Sequence, residues 1–318
     1  MAAIPARRVA WGIQLPVQSQ STIYVADWER TAGPDELVAV ARAADDAGFS
    51  YVGVCDHVAI PRRLAPAMGT TWYDTVATLG LLAGVTRRTR LLSHVAVLAF
   101  RHPLVSAKAF ATLDHLSKGR LIIGVGAGHV PEELAQLGIP FERRGALLDE
   151  AIDAVSAALS EEFAVFSGPT WSFHDAGQSP RPVQRPRPPI WVGGSSSAAI
   201  RRAAERGDGW LPQGTPRAQM AEQVALLLRH RRRAREGAPI EIGATCEPCY
   251  VGDPGWDVGR RTVSGPPEAI AESLAGWVSL GANQLQVRLQ ARSSAELCDQ
   301  IAAFGSEVGP LLPATASS

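Results

Sequence analysis

Eight short apolar runs punctuate this chain, at residues 10–15, 51–55, 90–98, 121–125, 190–192, 209–211, 240–245 and 283–287. They lack the apolar/polar alternation of a half-exposed sheet, as expected of parallel strands covered on both faces. Helical patterns lie between them. In residues 35–47, Leu37, Val40, Ala41 and Ala44 fall at i, i+3, i+4 and i+7, and Gly48 follows as a helix-ending glycine. Residues 105–116 repeat the device, with Val105, Ala109, Leu113 and Leu116 on one stripe and Gly119 just beyond; residues 267–280 end at Gly281 in the same way. Strand, helix, glycine and strand in repetition point to a βα barrel or a doubly wound sheet. Eight units with no reversal favour the barrel. The 318 residues are then read as one domain, a length that α/β barrels fill.

Charge narrows the function classes. Lys plus Arg and Asp plus Glu number 31 each, so the chain lacks the positive surplus that a nucleic-acid or membrane-surface role needs. No apolar run approaches the roughly 20 residues of a membrane span. Residues 1–8 carry no apolar signal core, which makes the cytoplasm the expected compartment. Four cysteines in a chain this long do not form a disulfide framework. Cys246 and Cys249 form one C-x-x-C without a second Cys/His pair at zinc spacing, and read as buried strand thiols.

Two interruptions break the repeat. Residues 59–73 follow the second strand and are too long for a minimal connection; long loops after strands build the active site in barrel enzymes. Residues 163–189 end in PRPVQRPRPP and read as a stiff, extended connector.

In a barrel, reactive groups belong at the C-terminal ends of the strands. Strand two ends in Cys55-Asp56-His57, strand three near Ser93-His94-Val95, and strand four in Gly124-Val125-Gly126-Ala127-Gly128-His129. Three of the seven histidines thus fall on one rim, and imidazole is the side chain most easily poised for proton transfer near neutral pH. Metal binding is the rival reading. It needs co-ligands at defined spacing, and strand alternation turns Asp56 away from His57, so no metal is expected. Strand five ends in Gly193-Gly194-Ser195-Ser196-Ser197 before a helix. That arrangement suits a phosphate, through close backbone approach and free N–H groups, although a serine helix cap explains part of it. The G-x-G-x-G of residues 124–128 is not a Rossmann fingerprint. Gln14, Gln18, Trp28, Trp72 and Tyr73 are candidates to line a substrate pocket, and Arg62, Arg63 and Arg101 to meet an acidic cofactor tail.

The segments FSYVGVCDHVAIPR, LLSHVAVLAFRHPLVSAKAFATLDHLSKGRLIIGVGAGHVPEELAQLGIPFERR and PVQRPRPPIWVGGSSSAAIRRAAERGDGWLP resemble the luciferase-like monooxygenase family, with similarity across residues 9–312. The pattern looks most like the branch that uses the deazaflavin coenzyme F420. The resemblance implies a luciferase-like (β/α)₈ TIM barrel with loop insertions, a homodimer, and a small-molecule substrate. It places His57 beside the reactive carbon of the cofactor ring, as proton donor or acceptor, with Asp56 shaping the same pocket. His94 and Val95 match a bulge with a non-prolyl cis peptide that backs the ring. Ala127, Gly128 and His129 match the loop flanking the ring, and Gly193, Gly194 and Ser195 the segment that holds the phosphate. Some relatives carry a catalytic carboxylate where this chain has His129, so the expected relay runs through His57 assisted by His129. The alternative is an enzyme of the same fold that uses reduced FMN to activate oxygen.

Overall fold

The computed structural model describes residues 9–19, 21 and 25–313. Its strands are β1 (Ala10–Gln14), β2 (Tyr51–Val54), β3 (Arg90–Ser93), β4 (Ala96–Val97), β5 (Leu121–Gly126), β6 (Phe163–Ser167), β7 (Ser172–Gly177), β8 (Ile190–Gly193), β9 (Gly209–Leu211), β10 (Glu241–Val251), β11 (Val263–Gly265) and β12 (Gln284–Leu289). Its helices are α1 (Pro34–Asp46), α2 (Ala65–Met68), α3 (Thr75–Val85), α4 (Pro103–Leu116), α5 (Pro131–Gln136), α6 (Arg144–Ser160), α7 (Ser197–Arg206), α8 (Arg217–Ala234), α9 (Pro267–Ser279) and α10 (Ser294–Ala303). Strands pair in parallel in the order β1-β2-β3-β5-β8-β9-β10-β12, and β12 returns to β1. The barrel is closed with eight strands, as the sequence pattern favoured.

Alternation along the strands divides two cores. Tyr51, Leu92, Ile122, Trp191 and Leu211 form an inner cluster, while Val52, Leu91, Ile123, Val192 and Trp210 belong to the larger core packed with the helices. Tyr51 and Trp191 meet edge to face across the interior, their ring centroids 5.7 Å apart. Glycine makes the room: a Cβ at Gly12 would lie 2.5 Å from the Tyr51 ring, and one at Gly209 would lie 2.4 Å from the Trp191 indole.

Helix α1 buries Leu37, Val40, Ala41 and Ala44, as the periodicity predicts, and its Glu36 side chain accepts from Gly33 N at 2.7 Å. Helix α4 does not follow its expected stripe. It buries Ser106, Ala107, Phe110, Ala111, Leu113 and Asp114, whereas Val105 and Leu116 are 59% and 62% exposed. The chain offers α4 two apolar stripes, and the one holding Phe110 has the better fit to the core. The expected connector at 163–189 also needs correction. Its first part is an antiparallel hairpin of β6 and β7, and the proline-rich remainder is tied to the barrel by the buried carboxylate of Asp114. That carboxylate accepts from Val183 N at 2.8 Å and from Gln184 N at 3.0 Å. No helix among the described residues is long and apolar enough to cross a membrane.

Candidate active site

Asp56 and His57 lie in the loop just beyond β2, and their separate partners decide where each side chain sits. Asp56 turns outward and is nearly fully buried. Its carboxylate accepts from Val97 N at 3.0 Å and from Arg101 Nη1 at 3.1 Å, so it anchors β4 and the turn after it. Arg101 also reaches Asp74, which leaves this arginine structural. His57, one residue on, faces the rim. Its Nδ1 lies 2.8 Å from Glu133 Oε2, the Trp72 ring covers it at 4.4 Å between centroids, and the His129 ring stands edge to face at 5.5 Å.

Glu133 lies in the first turn of α5, and the sequence reading did not single it out. Its other oxygen accepts from Val58 N at 2.6 Å and Ala59 N at 3.1 Å. Burial by itself raises the pKa of this carboxyl. The bonds from His57 and the two backbone N–H groups outweigh it and hold the group below the ordinary carboxylate value. For His129, burial first and the charge of His57 second push the pKa down, which favours the neutral ring. Beside the pair, Arg63 bridges to Glu132, so this arginine is also engaged within the fold.

The second corner is built by the bulge after β3. The His94–Val95 peptide is cis, as the resemblance implied. His94 Nε2 sits 3.1 Å from Gln213 Nε2, and its Nδ1 is buried with no partner. Because the amide nitrogen donates, His94 accepts at Nε2 and carries its hydrogen on Nδ1. Burial pushes its pKa down to about 4, so this imidazole is neutral. Val95 wedges between two strands, where a Cβ at Gly126 or Gly193 would lie 2.4 Å or 2.8 Å from its methyls. Gly193 is therefore required by packing, independently of any ligand.

The remaining expected residues divide between loop and rim. Ala127 packs against the core, and Gly128 turns the chain at φ +79°. Gly194 adopts φ +110°, a conformation suited to glycine, before α7. Ser195 does not cap that helix. Its hydroxyl donates to Gln213 O at 2.9 Å and accepts from Gln213 N at 3.0 Å and Thr215 Oγ1 at 2.7 Å, while Ser196 accepts from Ala199 N as the cap. Gln14 donates to Cys55 Sγ at 3.0 Å at the inner rim. Gln18 is fully buried, bonded to Leu15 O and Cys55 N, and serves as a loop anchor. Trp72 reaches His57, whereas Trp28 and Tyr73 pack against the core. Cys246 and Cys249 are free, buried thiols whose pKa values burial pushes up. No cluster of His, Cys, Asp and Glu suited to a metal ion occurs among the described residues.

A barrel rim that joins a histidine–carboxylate pair to a bulge at residues 94–95 invites comparison with known proteins. Residues 12–255 match the luciferase-like monooxygenase family. The chain belongs to that family. An uncharacterized protein of Mycobacterium tuberculosis, Rv0953c, is 30% identical over 271 residues, covering 80% of this chain and 88% of the relative. Among solved structures, the monooxygenase RslO1 from Streptomyces bottropensis superposes with a TM-score of 0.78 at 24% identity, covering 95% of this chain and 99% of that one. The coenzyme F420-dependent tetrahydromethanopterin reductase from Methanopyrus kandleri gives 0.75 at 19%, covering 96% and 100%. The oxygenating constituent of 3,6-diketocamphane monooxygenase from Pseudomonas putida, in complex with FMN, gives 0.75 at 14%, covering 97% and 99%. At these identities the structural likeness is one of fold. The family comprises oxidoreductases and monooxygenases, and its fold serves both a deazaflavin and FMN.

Proposed function

We propose that this protein is an oxidoreductase that transfers a hydride between deazaflavin coenzyme F420 and a small organic substrate at the C-terminal face of the barrel. The observation that carries the reading is the rim pair of His57 and Glu133, with a neutral His129 beside it. The corner at residues 94–95 fits a flavin-like ring. It offers the apolar Val95 and a buried His94 Nδ1–H that lacks a partner, a donor that a cofactor carbonyl would complete. His94 and Val95 would back the ring, Ala127, Gly128 and His129 would flank it, and Gly193, Gly194 and Ser195 would lie toward the phosphate. Because the Ser195 hydroxyl is already engaged, backbone N–H groups at the start of α7 would meet that phosphate.

Bound there, a deazaflavin supplies two-electron hydride chemistry with little reactivity toward oxygen. The protein supplies the rest. With Nδ1 tied to Glu133, His57 presents Nε2 for exchanging a proton with the substrate, and Trp72 covers its ring. His129, held neutral, stands ready to take up or return that proton.

The second reading is FMN supplied reduced for oxygen activation, and the likeness to an FMN-bound structure favours it. Titration of the purified protein with oxidised F420 and with FMN separates the two. Micromolar or tighter F420 binding is the expected result; tight FMN binding without F420 binding overturns the first reading. The chain is further taken to act as a single domain in a cytoplasmic homodimer that binds neither nucleic acid nor membrane. Helix α3 supports the dimer, since its 11 residues include no charge. Leu81, Val105 and Leu116 are exposed on α3 and α4, and a groove of about 620 Å³ lies between the two helices, with none of the rim histidines in its lining. Light scattering on the titrated samples should give twice the chain mass, and a monomer removes this part of the reading.

A further inference from the structure

Among the groups the expected relay does not use, Glu133 is the most fully committed. It is buried in the first turn of α5, yet none of its side-chain hydrogen bonds serves α5. Its carboxylate spans 76 positions of sequence to accept from His57 Nδ1 through one oxygen and from Val58 and Ala59 N–H through the other. The neighbouring Glu132 bridges to Arg63 further along the same loop. Two consecutive carboxylates of one short helix thus hold the chain that leaves β2, and one of them holds the imidazole itself.

We propose that Glu133 is the positioning residue for proton transfer by His57. An ionised carboxylate only accepts, so its contact with Nδ1 requires a hydrogen there. That choice of tautomer leaves Nε2 as the nitrogen with a lone pair, and Nε2 is the atom that exchanges a proton with substrate. The two backbone bonds fix where the ring stands, and the side-chain bond fixes which nitrogen reacts. The pattern parallels metal-binding and triad histidines, whose ring orientation and tautomer are set by a carboxylate on the far nitrogen. His129 cannot perform the same service, because its own ring meets His57 edge to face and offers no carboxylate. The proposal deepens the proton-relay reading above and rests on it only for the role of Nε2.

The test begins with the protein free of any cofactor. Histidine-selective ¹⁵N NMR, with His57 assigned through His57→Gln, should show its neutral form protonated at Nδ1. In Glu133→Gln the amide oxygen can keep the bonds to Val58 and Ala59, while the amide nitrogen turns its donors toward His57. The expected result is a switch to the Nε2-protonated tautomer with the native fold retained and a modestly lower melting temperature. Turnover should fall roughly 100-fold with KM and F420 affinity changed less than about threefold, and adding His57→Gln should bring little further loss. A wild-type His57 protonated at Nε2 when neutral overturns the proposal, as does a Glu133→Gln enzyme that keeps both its rate and the Nδ1 tautomer. Should Glu133→Gln fail to fold, the wild-type spectrum still decides. The spectrum is read without cofactor, so failure of the deazaflavin reading and failure of this one are distinguishable.

Discussion

His57 and His94 stand on the rim of the same barrel, each at the end of a strand, and their surroundings oppose each other. His57 has a carboxylate at 2.8 Å and two further rings around it. His94 has only the amide of Gln213, a bare Nδ1, and enough burial to push its pKa down to about 4. Both are largely buried, so burial alone does not assign their roles. The partner does. A carboxylate keeps a hydrogen on one nitrogen and frees the other to react, whereas an amide adds no charge to offset burial, which keeps His94 neutral as a fixed part of the wall.

The contrast can be broken most severely from beneath His94. In Gly124→Ala the new methyl would lie 1.9 Å from Ser93 O, so the bulge must move. A loss of about 3 kcal/mol in denaturant unfolding is expected, the upper range for overpacking, with the His57 tautomer unchanged. If the His57 signal changes too, the corners are coupled and the contrast weakens.

The pH dependence of stability sharpens the comparison. The folded His94 is depressed to about 4 from an ordinary 6.5, so between those values the unfolded chain binds a proton that the native one refuses. Stability from this site is complete above pH 6.5, falls by about 3 kcal/mol on the way down to pH 4, and then levels. His94→Gln should flatten the unfolding curve across that window. For Glu133 the native pKa lies below the unfolded one. Its contribution is complete above the ordinary carboxylate value and is lost only as pH falls through the lower native pKa, so Glu133→Gln should flatten the curve in more acid solution than His94→Gln does. Identical windows for the two variants would contradict the assignment.

The smallest effect is expected at Ser195→Ala. This change removes the hydroxyl that ties the Gly194 loop to Gln213 and Thr215, at a cost of about 1 kcal/mol by thermal melting. The His94 signal should shift through Gln213 while that of His57 stays put.

Much of the fold was legible because parallel strands covered on both faces leave unbroken apolar runs, and all eight runs became barrel strands. Helix α4 misled because its sequence supports two apolar stripes, and periodicity does not say which one meets the sheet. The β6–β7 hairpin was hidden in a segment whose prolines drew attention to its other end. At the site, His57, His94 and His129 were legible as rim residues. The alternation expected to turn Asp56 away from His57 does not apply, because β2 ends at Val54 and the two residues part in the loop beyond it through their separate partners. Glu133 was not legible. Pro131-Glu132-Glu133 is what any helix start prefers, since acidic groups suit the N-terminal dipole, and that local explanation masks the distant one. Gln213 gave no signal at all.

The sequence by itself determined the barrel, its strand ends and the residue types that gather there, because these follow from local periodicity and from the chain order of strand and helix. Only the tertiary structure decided which histidine meets a carboxylate and which is left with an amide. Those partners lie 76 and 119 positions away, and closure of the barrel is what brings them within hydrogen-bonding distance.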